Sequence, residues 1–257
     1  MPDRPGKFWR VLATGFCFAT FGIGGLLLRV LVFPLLDLFV RRPRQRVRLA
    51  RAVIRLAFRG FIGLMQGVGV LRYEVIGVER LARDGLLILA NHPTLIDTVF
   101  LMALLRRADG IVKAGLWNNP FTRGPVRSAG YVKNDQGPAL LANCLASLQE
   151  GNNLIVFPEG TRTGDDGVIR LKRGAAHIAV YGQCNITPVL IRCVPMTLAK
   201  GTPWWRVPDR PVHFRIEVQD DILVAPFLAD GAGEPMAARH LTTYLQTYFT
   251  EKSQHDA

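Results

Sequence analysis

Serine is scarce in this chain: three residues in 257, at Ser128, Ser147 and Ser253. None stands in a Gly-x-Ser-x-Gly elbow, which argues against a serine nucleophile. No P-loop pattern occurs either, so nothing implies a nucleotide cofactor. The four cysteines, Cys17, Cys144, Cys184 and Cys193, show no Cys-x-x-Cys spacing. They read as free thiols in a reducing compartment and offer no zinc-ligand pattern. Acidic residues are nearly missing from the first 60 positions, where only Asp3 and Asp37 face 12 Lys and Arg, a net of +10. Residues 61–257 hold 20 Lys and Arg against 18 Asp and Glu, a net of +2. The basicity therefore belongs to the amino-terminal quarter. Nucleic-acid binding is a poor account of it, because the body is near neutral and no recognition module is visible.

Apolar residues make up 49% of the chain, enough for a sizeable core. Residues 11–28 carry no charge, and the apolar run resumes after Arg29 as far as Leu36. Eighteen uncharged residues reach the threshold for a membrane span. The expectation is a membrane-embedded helix, spanning or re-entrant, with Pro34 bending or ending it. Basic flanks (Arg4, Lys7 and Arg10 before, Arg41 to Arg46 after) place both ends in the cytoplasm by the positive-inside tendency. A second helix follows Pro43. Arg44, Arg48, Arg51, Arg55 and Arg59 recur at spacings of 4, 3, 4 and 4 and form one polar stripe. Such a helix reads as lying on an anionic membrane surface; the alternative is a surface helix packed on its own domain. Residues 1–69 are thus expected to be a membrane-associated helical pair, and residues 70–257 an α/β domain.

In that domain the spacing predicts strands over Leu71–Ile76, Leu86–Ala90, Gly110–Ala114, Gly130–Val132, Leu154–Phe157, Ile186–Cys193 and Val212–Val218. It predicts helices over Leu95–Arg107, Pro138–Glu150, Gly174–Tyr181 and Pro235–Glu251. Alternation of the two means a layered α/β fold, a mixed sheet flanked by helices. Pro188 inside its strand predicts an edge or a bulge.

The predicted strand Leu86–Ala90 stops at Asn91-His92-Pro93, and four residues separate His92 from Asp97. The carboxyl ends of strands are where open α/β sheets present reactive groups. Imidazole is the usual general base near neutral pH, and a carboxylate can fix its tautomer. By itself the spacing favours a loop histidine followed by a helix-capping aspartate. A second strand ends in Phe157-Pro158-Glu159-Gly160-Thr161-Arg162-Thr163. Glycine permits close backbone approach, threonine supplies a hydroxyl, and arginine offers a donor fork that matches phosphate. Glu159 more plausibly locks the loop or Arg162 than touches an anion.

Asn-His-(four residues)-Asp followed by Phe-Pro-Glu-Gly-Thr-Arg resembles the lysophospholipid, or 1-acylglycerol-3-phosphate, acyltransferase family. Lys113, Pro120-Phe121, Gly124 and Gly130 resemble its middle block. Lys172-Arg173-Gly174 resembles its later basic-glycine element, and Ile186-Thr187-Pro188-Val189 its Val-Pro-Val strand. The likeness covers residues 70–195. It departs at Gln136, where the family carries an arginine. The resemblance implies transfer of a fatty acyl group from acyl-CoA or acyl carrier protein, as co-substrate, to the hydroxyl of a lysophospholipid. No cofactor or metal is implied. His92 and Asp97 would be catalytic; Asn91, Lys113, Glu159, Gly160, Thr161 and Arg162 would bind substrate. The place implied is the inner (cytoplasmic) membrane, with the catalytic domain on the cytoplasmic side. Two alternatives remain open: an ornithine-type or polyene-type lipid acceptor, and a thioesterase using the same His–Asp pair.

Other residues read as structural. His177 and His213 are expected in packing or surface roles, and Cys144 and Cys184 in the core. Lys200-Gly201-Thr202-Pro203-Trp204-Trp205-Arg206 mixes indoles with cations. It reads either as a loop at lipid headgroups or as a core tryptophan pair closing a loop.

Overall fold

The structure is a computed structural model and describes residues 6–119, 122–134, 139–164, 167–229 and 233–254. Seven strands form one sheet: β1 (Leu71–Ile76), β2 (Leu87–Ala90), β3 (Ala108–Val112), β4 (Val132–Lys133), β5 (Asn153–Val156), β6 (Ile186–Val194) and β7 (Val212–Val218). Their lateral order is β1-β7-β6-β2-β5-β3-β4. Every neighbouring pair is parallel except β6 with β7. The expected mixed sheet flanked by helices is the observed one.

The centre of the sheet explains the apolar run that first marked it. Ile88 and Ala90 of β2 point into one buried cluster, Leu87 and Leu89 into the other. A strand covered on both faces has no solvent side, so it needs apolar residues at every position. The first cluster is closed by α3 (Pro43–Gly67) and α4 (Asp97–Leu104), the second by α7 (Ala139–Gln149), α8 (Gly174–Tyr181) and α10 (Glu234–Gln254). The helix expected over Leu95–Arg107 is shorter at both ends, because residues 91–96 form the turn that carries the site.

Pro188 corrects its expectation. It lies in an interior strand, opposite Leu89 of β2 and with β7 on the other side. Its carbonyl accepts a hydrogen bond from Gln219 N at 2.9 Å. The N and C=O of one strand residue point the same way, so the missing N–H also faces β7. That ladder begins only at Val189. Proline therefore removes no bond to β2, and an interior strand tolerates it.

At the amino terminus α1 (Lys7–Leu27), a π turn (Leu28–Val32) and α2 (Phe33–Phe39) make one continuous helical run. It is 33 residues long and apolar enough to cross a membrane by length and composition. The π turn includes Val30, whose carbonyl Pro34 cannot serve with an N–H; a widened turn absorbs the ring. The run is docked lengthwise on the body. Arg10 donates to the carbonyls of Pro208 and Asp209, Phe21 packs on Phe58 and Phe61 of α3, and Arg29 lies against Gly124. From Arg10 to Arg29 that is roughly 28 Å of helix at 1.5 Å per residue. The opposite side exposes Phe8, Leu12, Phe16, Ile23, Leu27, Val30, Leu31, Leu35 and Leu38 as one apolar stripe.

The arginine stripe of α3 is not a single membrane-facing surface. Arg44, Arg48 and Arg59 are exposed, whereas Arg51 is buried and Arg55 donates to the Ala103 carbonyl. Arg51 Nη2 meets Asp109 Oδ2 at 2.7 Å, and its Nε donates to the Ala129 carbonyl at 2.9 Å. Asp109 also accepts from Ser147 Oγ and from Gly110 N. Desolvating an arginine is worthwhile only where several acceptors converge on it. This network pins α3 to β3 and α7. One apolar cluster likewise joins Ala13, Cys17, Phe33, Ile54 and Ile62 to Leu71, Ile88, Phe100 and Phe214. Residues before and after position 70 thus share a core.

Arg51→Ala should destabilise the chain by about 3–5 kcal/mol, since it leaves Asp109 buried and unpaired. The double variant Arg51→Met/Asp109→Asn should recover much of that loss. Guanidinium unfolding midpoints check both.

Candidate active site

β2 runs out at Ala90, and the next residues hold the dyad. His92 Nδ1 lies 2.8 Å from Asp97 Oδ2. Asp97 is fully buried at the start of α4. The same Oδ2 accepts from Thr94 N at 2.7 Å, and Oδ1 accepts from Thr94 Oγ1 at 2.5 Å. With Oδ2 accepting from Nδ1, the imidazole carries its proton there and presents a bare Nε2, for which no partner stands among the described residues. Phe157 closes one face of the ring, at 4.1 Å between centroids and 21° between planes. Burial raises the Asp97 carboxyl above its ordinary range, opposed by the hydrogen bonds from His92 and Thr94.

The backbone of His92 is clamped by the second loop. His92 N donates to Glu159 Oε1 at 2.9 Å, and Thr163 N donates to the His92 carbonyl at 2.8 Å. Thr163 Oγ1 donates to that same Glu159 oxygen at 3.0 Å. Glu159 is buried, and burial raises its carboxyl too. Its Oε1 holds the two motifs together, so Glu159 locks the loop rather than Arg162. Asn91 is tied to the neighbouring strand. Its Oδ1 accepts from Ile191 N at 2.8 Å and its Nδ2 donates to the Ile191 carbonyl at 2.9 Å. Both ends of the amide are used to tie β2 to β6, where a buried strand end needs its polar groups satisfied.

Arg162 Nη1 donates to the carbonyls of Leu198 and Ala199 at 2.9 and 2.8 Å. Its Nε and Nη2 carry no partner among the described residues. Gly160 has φ +69°, and a Cβ there would sit 3.0 Å from Lys172 Nζ, so the lysine stem crosses the loop at its glycine. Thr161 is half-buried between them. Lys113 is exposed just past β3, with β5 separating that strand from β2. Gln136, Pro120 and Phe121 lie outside the described residues.

Sequence reasoning missed the supporting groups. Thr94 and Thr163 orient the dyad and the loop, Phe157 stacks on the imidazole, and the carbonyls of Leu198 and Ala199 seat Arg162. Phe157 stood in the quoted motif, but nothing in the sequence marks a strand residue as a ring partner 65 positions away. Main-chain acceptors carry no residue signature at all. Burial pushes the Cys144 and Cys184 thiols up to about 11 and Cys193 up to about 12, which keeps all three as neutral packing groups. Among the described residues no group of three His, Cys, Asp or Glu is placed to hold a metal ion.

A carboxylate-aligned imidazole stands at the carboxyl edge of a mixed sheet, beside a Gly-Thr-Arg loop, an arrangement able to take a proton from a bound hydroxyl. Residues 72–192 match the family model described as Acyltransferase, and over that stretch the chain is similar to that family. It is 27% identical over 223 residues to the 1-acyl-sn-glycerol-3-phosphate acyltransferase of Limnanthes alba, covering 84% of this chain and 75% of that one. With the Pseudomonas aeruginosa protein of the same name it shares 28% over 145 residues, 54% of this chain and 56% of the other. The crystal structure of the 1-acyl-sn-glycerophosphate (LPA) acyltransferase PlsC from Thermotoga maritima superposes with a TM-score of 0.69 at 18% identity, over 98% of both chains. That likeness shows the fold.

Because burial raises the Glu159 carboxyl, the folded chain binds its proton more tightly than the unfolded chain does. The ionised group therefore lowers stability as pH rises from the ordinary carboxylate range through the raised value. Glu159→Gln keeps one acceptor oxygen and should have a higher Tm than the parent at neutral pH. That gap should close as pH falls toward the ordinary carboxylate range. Thermal melts across pH 4–8 (about one unit apart) check the sign.

Proposed function

We propose that this protein moves a fatty acyl group from a thioester, acyl-CoA or acyl carrier protein, to the free hydroxyl of 1-acyl-glycerol-3-phosphate or a lysophospholipid with a similar anionic head. The observation that carries the mechanism is the unpartnered Nε2 of His92, held in the accepting tautomer by buried Asp97. Nε2 takes the hydroxyl proton as the acceptor oxygen attacks the thioester carbonyl. Asp97 stabilises the imidazolium. The tetrahedral intermediate collapses, the C–S bond breaks, and the imidazolium returns the proton to the leaving sulfur. The products are an ester and a free thiol. The acceptor is the nucleophile, so no acyl-enzyme is needed.

Arg162, Gly160 and Thr161 hold the anionic head through the Nε and Nη2 donors that the 198–199 carbonyls leave free, with Lys113 adding charge. The names of the relatives support the glycerophosphate acceptor. The exposed apolar stripe of α1 and α2, on a helix docked lengthwise to the body, supports a position in one leaflet of the membrane. The basic flanks of that helix support the cytoplasmic side.

Acyl transfer from labelled acyl-CoA and acyl carrier protein to lysophosphatidic acid tests the proposal. His92→Ala should lower kcat by roughly 10²–10⁴-fold with the fold intact. Asp97→Asn should act similarly, because an amide N–H facing Nδ1 leaves the proton on Nε2. Arg162→Lys should raise the acceptor KM by about tenfold with little change in kcat, since one ammonium cannot hold the loop carbonyls and a phosphate together. Thioester hydrolysis that is unaffected by acceptor would replace the proposal with a thioesterase.

A further inference from the structure

Between β6 and β7 the chain forms a strap, residues 195–211, that the mechanism above leaves unexplained. Its outer side is unusually apolar for a surface loop. Trp205 is 58% exposed, Met196 54% and Trp204 40%, and Val194 just before it 58%. Lys200 and Arg206 stand exposed among them. Exposed indoles interleaved with cations are the composition of a lipid headgroup contact.

Two further observations say what covers this surface. Trp204 packs on α1: its ring atoms lie 3.1 and 3.2 Å from where a Cβ on Gly15 would be, and its ring centroid is 6.1 Å from that of Phe18. Trp205 meets Trp204 edge-on at 5.6 Å. Gly15 lies about 60° round the helix from Leu12, the middle of the exposed stripe. The indole pair therefore extends the apolar face of Phe8, Leu12 and Phe16 onto the strap. The strap's inner side reaches the site. The carbonyls of Leu198 and Ala199 accept from Arg162, and that of Leu198 accepts from Leu95 N at 3.1 Å, two residues before Asp97. Buried Leu198 holds φ +51°, a left-handed conformation that a leucine adopts only where its surroundings impose it.

We propose that the strap is a second membrane-contacting surface, which lays Trp205 and Met196 into an anionic lipid surface with Lys200 and Arg206 at the headgroups. It fixes the Arg162 loop at the height of the bilayer from which the acceptor's anionic head is drawn. The inference rests on the lipid-acceptor function proposed above. It adds a contact outside the amino-terminal helices and a physical link from that contact to the acceptor-binding loop.

Vesicles of phosphatidylglycerol and phosphatidylcholine, with bromine placed high on the acyl chains, test it on the full chain. Tryptophan quenching is compared between the parent and Trp205→Phe, and the difference isolates Trp205. The expected result is a clear loss of quenching in the variant, largest with phosphatidylglycerol and reduced in Lys200→Glu/Arg206→Glu. Identical quenching of parent and Trp205→Phe, with both proteins vesicle-bound, overturns the proposal. A kinetic arm uses Trp205→Ala with acceptor in vesicles and with a short-chain, monomeric acceptor. The vesicle KM should rise roughly tenfold, the size expected for loss of part of an indole's burial, with kcat and the monomeric reaction unchanged. An equal loss on both acceptors marks a merely structural role and also overturns it. If the parent acylates neither acceptor, the functional proposal fails, and the quenching comparison still decides the surface.

Discussion

The site depends on one constraint: a strand buried on both faces must end without leaving its polar groups unsatisfied. β2 ends at Ala90 inside the protein, and the groups that follow cannot all turn to water. Asn91 answers one side by pairing both ends of its amide with Ile191 of β6. Glu159 and Thr163 answer the other by taking the N–H and carbonyl of His92. A buried polar group left without a partner costs about 1–3 kcal/mol, so these clamps are part of what makes the strand end stable. The same clamps leave His92 no freedom of position. The orientation of the imidazole is thus a by-product of satisfying the backbone beside it.

Charge burial has the same double character. Asp97 and Glu159 are both held in places that favour their neutral forms, and both are surrounded by donors that favour the charged ones. The opposed effects leave acceptors aimed at one histidine, Asp97 at its ring and Glu159 at its backbone. Away from the site, Asp109 and Arg51 show the structural use of a buried pair, joining the amino-terminal helix to the sheet. The first two hold a ring whose second nitrogen has no partner among the described residues; the third joins α3 to the sheet.

The amino-terminal helices are integral to the body. The run from Lys7 to Phe39 contributes Ala13, Cys17 and Phe33 to the same cluster as the sheet, while its other side stays apolar and exposed. Over this length the helical run packs on the body through Arg10, Phe21 and Arg29. The sheet edge that carries His92 and the exposed apolar stripe are therefore held in fixed relation, and Trp204 of the strap packs on α1 at Gly15 and Phe18.

Much of this was legible from residues alone. Continuous apolar runs bounded by turn residues mark strands covered on both faces, because burial on both sides permits nothing else. Polar motifs at the ends of two such runs mark the site, because parallel strands deliver their carboxyl ends to one edge. Local patterning could not say which strand adjoins which. The interior position of Pro188, the burial of Arg51 in a stripe that looks solvated, and the structural use of Asn91 all follow from neighbours far outside any local window. Residue periodicity records which side of an element is apolar; only the packed fold decides what that side, or a lone polar group within it, is set against.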